Sequence, residues 1–348
     1  MALASLNAAG IVERDKNGGI MWVWSFPTFT DLQKDIAMKK CCLTWQTDKQ
    51  MKNMDIIPFV YYQHSKLWFY ILSTVTSEET AVKSVSHFSI ILCGKDFNPE
   101  KYSALSRILS RCYDVSGNPV IILEQYLKVL TLGYCQSNNN GVFKVADFDI
   151  QKTYLAAKLK DFINMFGMES VLVYVAVVLK RRVVVFHDRI QALLDLIRAI
   201  PSLAWHQQDW SHLHPWVEDF SELEELPYFI TGTTNLDLKS ASENYDLFID
   251  GTRETITLSP HAKDTFALGK IHKDIAKTMV DLASDIDSTN QDLIEAIDVK
   301  TQDIISKLRS LGGNEDRVSL EEIKSKKFNQ TTENFLINLA IAERLIDS

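Results

Sequence analysis

The sequence predicts an α/β protein built as two lobes, and three observations carry that prediction. At 348 residues the chain is long enough for two domains, each with its own core. Its first third alternates short apolar runs with tight-turn signals, the pattern of antiparallel strands. The remainder alternates helix-length and strand-length apolar runs, which points to a mainly parallel sheet wrapped by helices. The expected division is an N-terminal lobe over 1–135, a linker over 136–150, and a C-terminal α/β lobe with a helical tail over 151–348.

The strongest element is the stretch 171–187. Residues 171–179 are apolar at every position, which predicts burial on all sides, and Gly167 and Glu169 ahead of them favour a helix. Nine apolar residues fall short of the roughly 20 a bilayer span needs, so no transmembrane segment is expected. Lys180-Arg181-Arg182 breaks the run. Val183–Phe186, β-branched and aromatic, then reads as the central strand of a parallel sheet.

In chain order, Asp15 to Gly19 separates Ile11-Val12 from Ile20–Phe26 and predicts a hairpin. Strands are expected over 56–62, 67–74 and 85–93, with His64-Ser65-Lys66 turning between two of them. Asn98 then caps a helix with Pro99 at its first position and Tyr102, Leu105, Leu109 and Cys112 on one face. Pro119 opens another, with Ile122, Leu123, Tyr126, Leu127 and Leu130 as its apolar side. The polar run 136–141 marks the lobe boundary. Helices follow near 153–165 and 190–200, the second stopped by Pro201. Residues 203–220, rich in Trp and His, predict a long ordered loop with a short strand at its start. Strands are expected over 228–231, 245–250 and 255–258. In the tail, Ser288 with Gln291 and Ser319 with Glu322 have capping-box spacing. Ile294, Ile297, Ile304, Ile305 and Leu308 mark one long amphipathic helix, and Phe335, Leu336 and Leu339 a last one.

Composition narrows function. Hydrophobic and charged fractions of 46% and 24% are ordinary for a soluble domain. A net charge of −8 argues against a general nucleic-acid binder, since it does nothing to offset phosphate repulsion. No cationic stretch followed by an apolar run opens the chain, so no signal peptide is expected. The five cysteines form an odd set without a C-x-x-C pair, which fits a reduced cytoplasmic setting.

No phosphate-cradling G-x-G-x-x-G or G-x-x-x-x-G-K-[ST] is present, so a nucleotide-binding enzyme is not expected; the absence of G-x-S-x-G weakens a hydrolase reading, and no cofactor is expected. His206, His212 and His214 near Asp209 lack a second carboxylate or cysteine at ligand spacing, and a partly buried loop is the better reading than a metal site. Cys41-Cys42 reads as small buried hydrophobes rather than a redox pair. The basic triplet reads either as a solvated turn or as a grip on an acidic or phosphorylated partner. Trp22, Trp24 and Phe26 share strand parity and thus one face. Because Met21 and Val23 make the other face apolar too, either helices cover both sides or the aromatic side is left for a partner.

Several blocks stand in a telling order: Ile11-Val12-Glu13 with Ile20-Met-Trp-Val-Trp-Ser-Phe-Pro27, Ile57-Pro58-Phe59, and His87-Phe-Ser-Ile-Ile-Leu. Then come Ala176-Val-Val-Leu-Lys-Arg-Arg-Val-Val-Val-Phe186, Ile200-Pro-Ser-Leu-Ala-Trp-His206, Pro227-Tyr-Phe-Ile-Thr-Gly232 and Tyr245-Asp-Leu-Phe-Ile-Asp250. None is specific alone. In this order and spacing the chain resembles the DENN-domain family, and its short single-module members, over nearly its whole length.

The resemblance implies an N-terminal longin-like lobe and a C-terminal α/β lobe. It also implies action as a guanine-nucleotide exchange factor for Rab GTPases, as a cytoplasmic protein peripheral to late endosomes and monomeric within a larger assembly. On this view Lys180, Arg181, Arg182, Trp205, Trp210 and Trp216 face the GTPase. For the short members it implies association with the coiled-coil subunits of the Commander endosomal recycling complex. A non-catalytic scaffold whose Trp22, Trp24 and Phe26 face docks a coiled coil is therefore the second expectation. The chain departs from the family pattern at Lys180, where an acidic residue is usual, and at His187, where Ser is usual. Residues 207–220 replace a proline-rich apolar stretch, which puts altered exchange activity among the expectations.

Overall fold

The computed structural model describes residues 3–41, 43, 59–137, 141–223, 226–312 and 317–346. The chain divides into two compact units, Met1–Thr153 and Tyr154–Ser348. Cys42, Ile57 and Pro58, and with them the start of the strand expected from residue 56, lie outside the described residues.

The first unit is a five-stranded antiparallel sheet in the order β2-β1-β5-β4-β3. Its strands are β1 (Leu6–Asp15), β2 (Ile20–Phe26), β3 (Phe59–His64), β4 (Leu67–Val75) and β5 (Val85–Gly94). Local chemistry sets the turns. Asp15 Oδ1 accepts the backbone N–H groups of Asn17 (2.7 Å) and Gly19 (2.8 Å), and Gly18 takes a φ of +94°, closing the first hairpin. Ser65 and Lys66, at φ +51° and +62°, form the two-residue turn between β3 and β4, with the backbone twist that antiparallel strands favour.

Helices cover the sheet on both sides. On one, α1 (Asp31–Lys40) sets Lys40 Nζ 5.2 Å above the Tyr62 ring, and Phe29 just before it packs on Trp22 and Phe69. On the other, α2 (Pro99–Ser116) stacks Tyr102 on Tyr70 at 4.2 Å beside α3 (Pro119–Leu132). Both α2 and α3 start with Asn and Pro and stop at a left-handed glycine, Gly117 or Gly133. The buried face of α3 is turned from the expected one. Gln125 and Val129 join Ile122 and Tyr126 inside, while Leu127 is exposed. The polar run expected as a boundary is instead flanked by the paired strands β6 (Tyr134–Ser137) and β7 (Gly141–Lys144), and residues 136–150 fall within the first unit.

The second unit is built around β8 (Val183–Phe186), buried at all four positions. Its sheet runs β12-β11-β8-β10-β9. The neighbours are β9 (Leu213–His214), β10 (Ile230–Thr233), β11 (Leu247–Asp250) and β12 (Thr255–Leu258). β8 to β11 are parallel and only β12 runs against them. The fold is therefore α/β, with a five-stranded antiparallel sheet in the first unit and a mainly parallel sheet in the second, as the sequence predicts. One difference is local: the short strand of the Trp-rich loop comes at 213–214, not at the loop's start.

The helix expected near 153–165 is two helices, α4 (Ile150–Leu155) and α5 (Leu159–Phe166), followed by α6 (Ser170–Val178). The run Ile150–Val178 is long and apolar enough for a membrane span. Phe162, Ile163, Val173, Tyr174 and Val175 within it are nevertheless buried in the protein. After α7 (Ile190–Ala199), Pro201 sits in the 3-10 turn Ile200–Ala204 and redirects the chain instead of opening a loop.

The tail comprises α8 (Lys270–Ser284), α9 (Asn290–Arg309), α10 (Leu320–Ser325) and α11 (Gln330–Ala342). Ser319 and Glu322 form the expected capping box. The other box lies one residue on, at Thr289 and Asp292, because the side chain of Ser288 is spent on the carbonyl of Leu282.

Two predictions follow from this packing. A Cβ on Gly232 of β10 would fall 2.2 Å from the Pro215 carbonyl oxygen, so Gly232→Ala must shift backbone and lowers stability by about 1–3 kcal/mol in denaturant unfolding. His272 is buried in α8, accepts the Gly269 N–H at Nδ1 (2.9 Å), and meets the Phe335 ring edge-on. Burial lowers its pKa from 6.5 to about 4. The unfolded chain thus takes up a proton the folded one refuses, and this contribution to stability is present above about pH 6.5 and lost as pH falls towards 4. Melting curves across that window show a falling midpoint in the wild type and a flatter one in His272→Gln.

Candidate interaction site

In the first unit the candidate face is the edge strand β2. Its register against β1 pairs Ile11 with Trp24 but Val12 with Trp22, so Val23 is the extra residue of a bulge. The bulge breaks the parity argument made from sequence. Trp22 turns to the α1 side, lies over Gly10, and packs edge-on against Phe29 at 5.2 Å. Trp24 and Phe26 turn to the opposite side, where Phe26 meets Tyr126 of α3 at 5.8 Å. Trp22 and Trp24 are half-buried, whereas Met21, Val23 and Phe26 are exposed at 54%, 39% and 39%. The apolar surface at this edge is carried by those three and not by a row of aromatics.

In the second unit the basic triplet is a structural turn with its charges engaged. Lys180 takes a left-handed φ of +51°, and its Nζ lies 5.8 Å from the Tyr228 ring centroid. Arg181 Nη2 donates to Asn338 Oδ1 of α11 at 2.6 Å. Arg182 spans to the start of β11: its backbone N–H donates to Asp246 Oδ2 (2.8 Å) and its guanidinium reaches both carboxylate oxygens. His261 Nε2 lies 2.9 Å from Asp246 Oδ1. Burial pushes the Asp246 carboxyl up, but hydrogen bonds from Arg182 and His261 and the Arg182 charge prevail and hold it below the usual range.

The Trp-rich loop packs inward. Trp210 stacks on Tyr154 at 4.8 Å, and both Trp210 and Trp216 are buried. Of the tryptophans expected to face a GTPase, only Trp205 is half-exposed, edge-on to Tyr154. The histidines diverge. His206 Nε2 lies 3.0 Å from Glu343 Oε1, which also accepts Gln207 Nε2 (2.8 Å), fastening the loop to the end of α11. His212 packs on Tyr228 at 3.9 Å, near Asp209. The carbonyl of His214 accepts Thr231 Oγ1. Cys41 is buried, with its thiol pKa raised mainly by desolvation. Sequence reasoning missed Asn338, Glu343, Asp246 and His261, which lie 15–157 residues from their partners; Asp246 alone had a signal, in the block beginning at Tyr245.

The comparisons bear on this arrangement as a whole. A DENN domain-containing protein 10 of Danio rerio is 42% identical over 343 residues, which is 97% of each chain. The Homo sapiens protein of that description is 40% identical over 346 residues, covering 97% of this chain and 95% of its own. The chain belongs to the DENN-domain family. A Dictyostelium discoideum DENN domain-containing protein 10 is also similar, at 29% identity with 96% of each chain covered. No family model matches. The DENN blocks thus map onto recognisable elements: the first on the β1–β2 hairpin, the valine-rich block on α6 and β8, and the last on β11.

Replacing Arg182 leaves the Asp246 carboxylate short of its main partner. Arg182→Gln is expected to cost about 1.5–3 kcal/mol at neutral pH, the range for a hydrogen bond to a charged group. A depressed carboxyl contributes stability above its unfolded value near 3.9 and loses it as pH falls through the folded one. The gap between mutant and wild type in urea titrations therefore narrows below about pH 4.

Proposed function

We propose that this chain is a Rab-directed DENN protein, acting as a guanine-nucleotide exchange factor or regulator from the cytoplasmic side of late endosomes. The observation that carries the reading is the near-full-length correspondence to DENN domain-containing proteins. The polar clusters fit it as well, because Arg182 with Asp246 and His206 with Glu343 are spent on holding strands, loop and helix together. Such a protein works by binding, not by bond chemistry. A guanine nucleotide held at picomolar affinity is worth about 16 kcal/mol, and an exchange factor offsets it by preferring the empty GTPase. That preference calls for a face on the order of 1,000 Å². The test is GDP release from a panel of purified Rabs. At least one is expected to release nucleotide tenfold faster or more, and no acceleration of any removes the reading.

A second reading is favoured by the exposed β2 edge: a non-catalytic scaffold that docks coiled-coil subunits of the Commander complex through Met21, Val23 and Phe26. Met21→Asp with Val23→Asp is then expected to weaken capture of those purified subunits at least tenfold without changing the melting midpoint. Undiminished capture by the double variant rules this edge out.

A further inference from the structure

Between α8, α9 and α11 lies a cavity of about 510 Å³. That is within the roughly 300–1,000 Å³ of small-ligand sites. Its floor is apolar, with Ile271 and Ile275 from α8, Ile304 and Leu308 from α9, and Leu336 from α11. Phe328, just before α11, also lines it and leaves 38% of its surface exposed. Along α9 the lining positions are 300, 303, 304, 307 and 308, one stripe of a single helix face, and Leu311 of the following 3-10 turn continues it. At 1.5 Å per residue the α9 wall of the trough is about 12 Å long. Such a shape suits an extended hydrocarbon chain better than a compact polar molecule.

The charge around the trough opposes that of the whole protein. The chain carries a net charge of −8, yet the charged residues lining the trough are Lys270, Lys300 and Lys307 against Asp274 and Asp303. Both aspartates are bound by lysines of the rim: Lys300 Nζ lies 2.5 Å from Asp274, and Lys307 Nζ 2.6 Å from Asp303. The hydrogen bond from Lys300 and the nearby charges of Lys300, Lys277 and Lys270 hold the Asp274 carboxyl below its usual range. Lys326 and Lys327 stand next to Phe328 and are exposed.

We propose that this groove is a binding site for an anionic phospholipid. One acyl chain lies on the isoleucine and leucine floor. Lys270 holds the headgroup beside the ion-paired Lys300 and Lys307, while Lys326, Lys327 and the exposed Phe328 rest against the bilayer surface. The combination selects the ligand. A soluble anion gains nothing from the floor, and a zwitterionic lipid little from the rim.

The experiment is co-sedimentation of the full chain with vesicles of phosphatidylcholine alone and with phosphatidylserine added. Binding is expected only with phosphatidylserine and is expected to weaken as salt rises. Lys326→Glu with Lys327→Glu, and separately Phe328→Asp, each reduce it at least tenfold with an unchanged melting midpoint. Lys16→Glu with Lys144→Glu, remote in sequence and equal in charge change, leaves it within about twofold. Three results overturn the proposal: no binding of the wild type to phosphatidylserine vesicles, equal loss in the control pair, or retained binding in both groove variants. Capture of polyglutamate by a wild-type chain that ignores the vesicles also overturns it, and assigns the lysines to an acidic protein partner.

Discussion

Val183–Phe186 has neither an open edge nor a solvent-facing side, and the second unit is disposed around that constraint. A strand buried on both faces needs its backbone bonded on both edges, and β10 and β11 supply matching four-residue ladders. Its entry is equally determined. The Arg182 carbonyl accepts the N–H groups of Asp246 and Leu247, and the Asp246 carboxylate accepts the Arg182 N–H in return. The left-handed turn at Lys180 then lets the buried helix α6 fold back onto the strand it feeds. The basic triplet is therefore part of the frame, and its half-exposed charges are already oriented before any partner arrives.

The first unit handles an edge differently. β1 and β5 are interior, but β2 ends the sheet and carries an apolar sequence on both sides. An edge of this kind invites pairing with other chains, and a bulge is one of the ways proteins discourage it. Here the bulge at Val23 also divides the aromatics between the two helix layers, which leaves three aliphatic and aromatic side chains in water.

Both surfaces fit a protein that acts by recognition. His272, the pair His206–Glu343 and the pair Arg182–Asp246 are each spent on contacts that hold elements of the fold together. The basic helical groove sits in an acidic chain, where long-range repulsion from an anionic surface has to be overcome locally. Placing lysines on α8, on α9 and just before α11 does so without changing the sign of the whole.

Much of this was legible in the amino acids themselves. Side-chain periodicity and capping chemistry act over a few residues, so the first hairpin, the Asn-Pro starts of α2 and α3, the helix-to-strand run around Val183 and the Ser319 box were readable directly. What the tertiary structure decided depends on contacts between distant residues. Hydrogen-bond register moved Trp22 to the other side of the sheet from Trp24. Packing turned α3 so that Val129 replaced Leu127 inside, and drew Trp210 and Trp216 into the core. The partners of Arg181 and His206, Asn338 and Glu343, are more than a hundred residues away, and local pattern is blind at that distance. The lysine-rimmed groove is of the same kind, since its cations come from three separated segments that only the folded chain brings together.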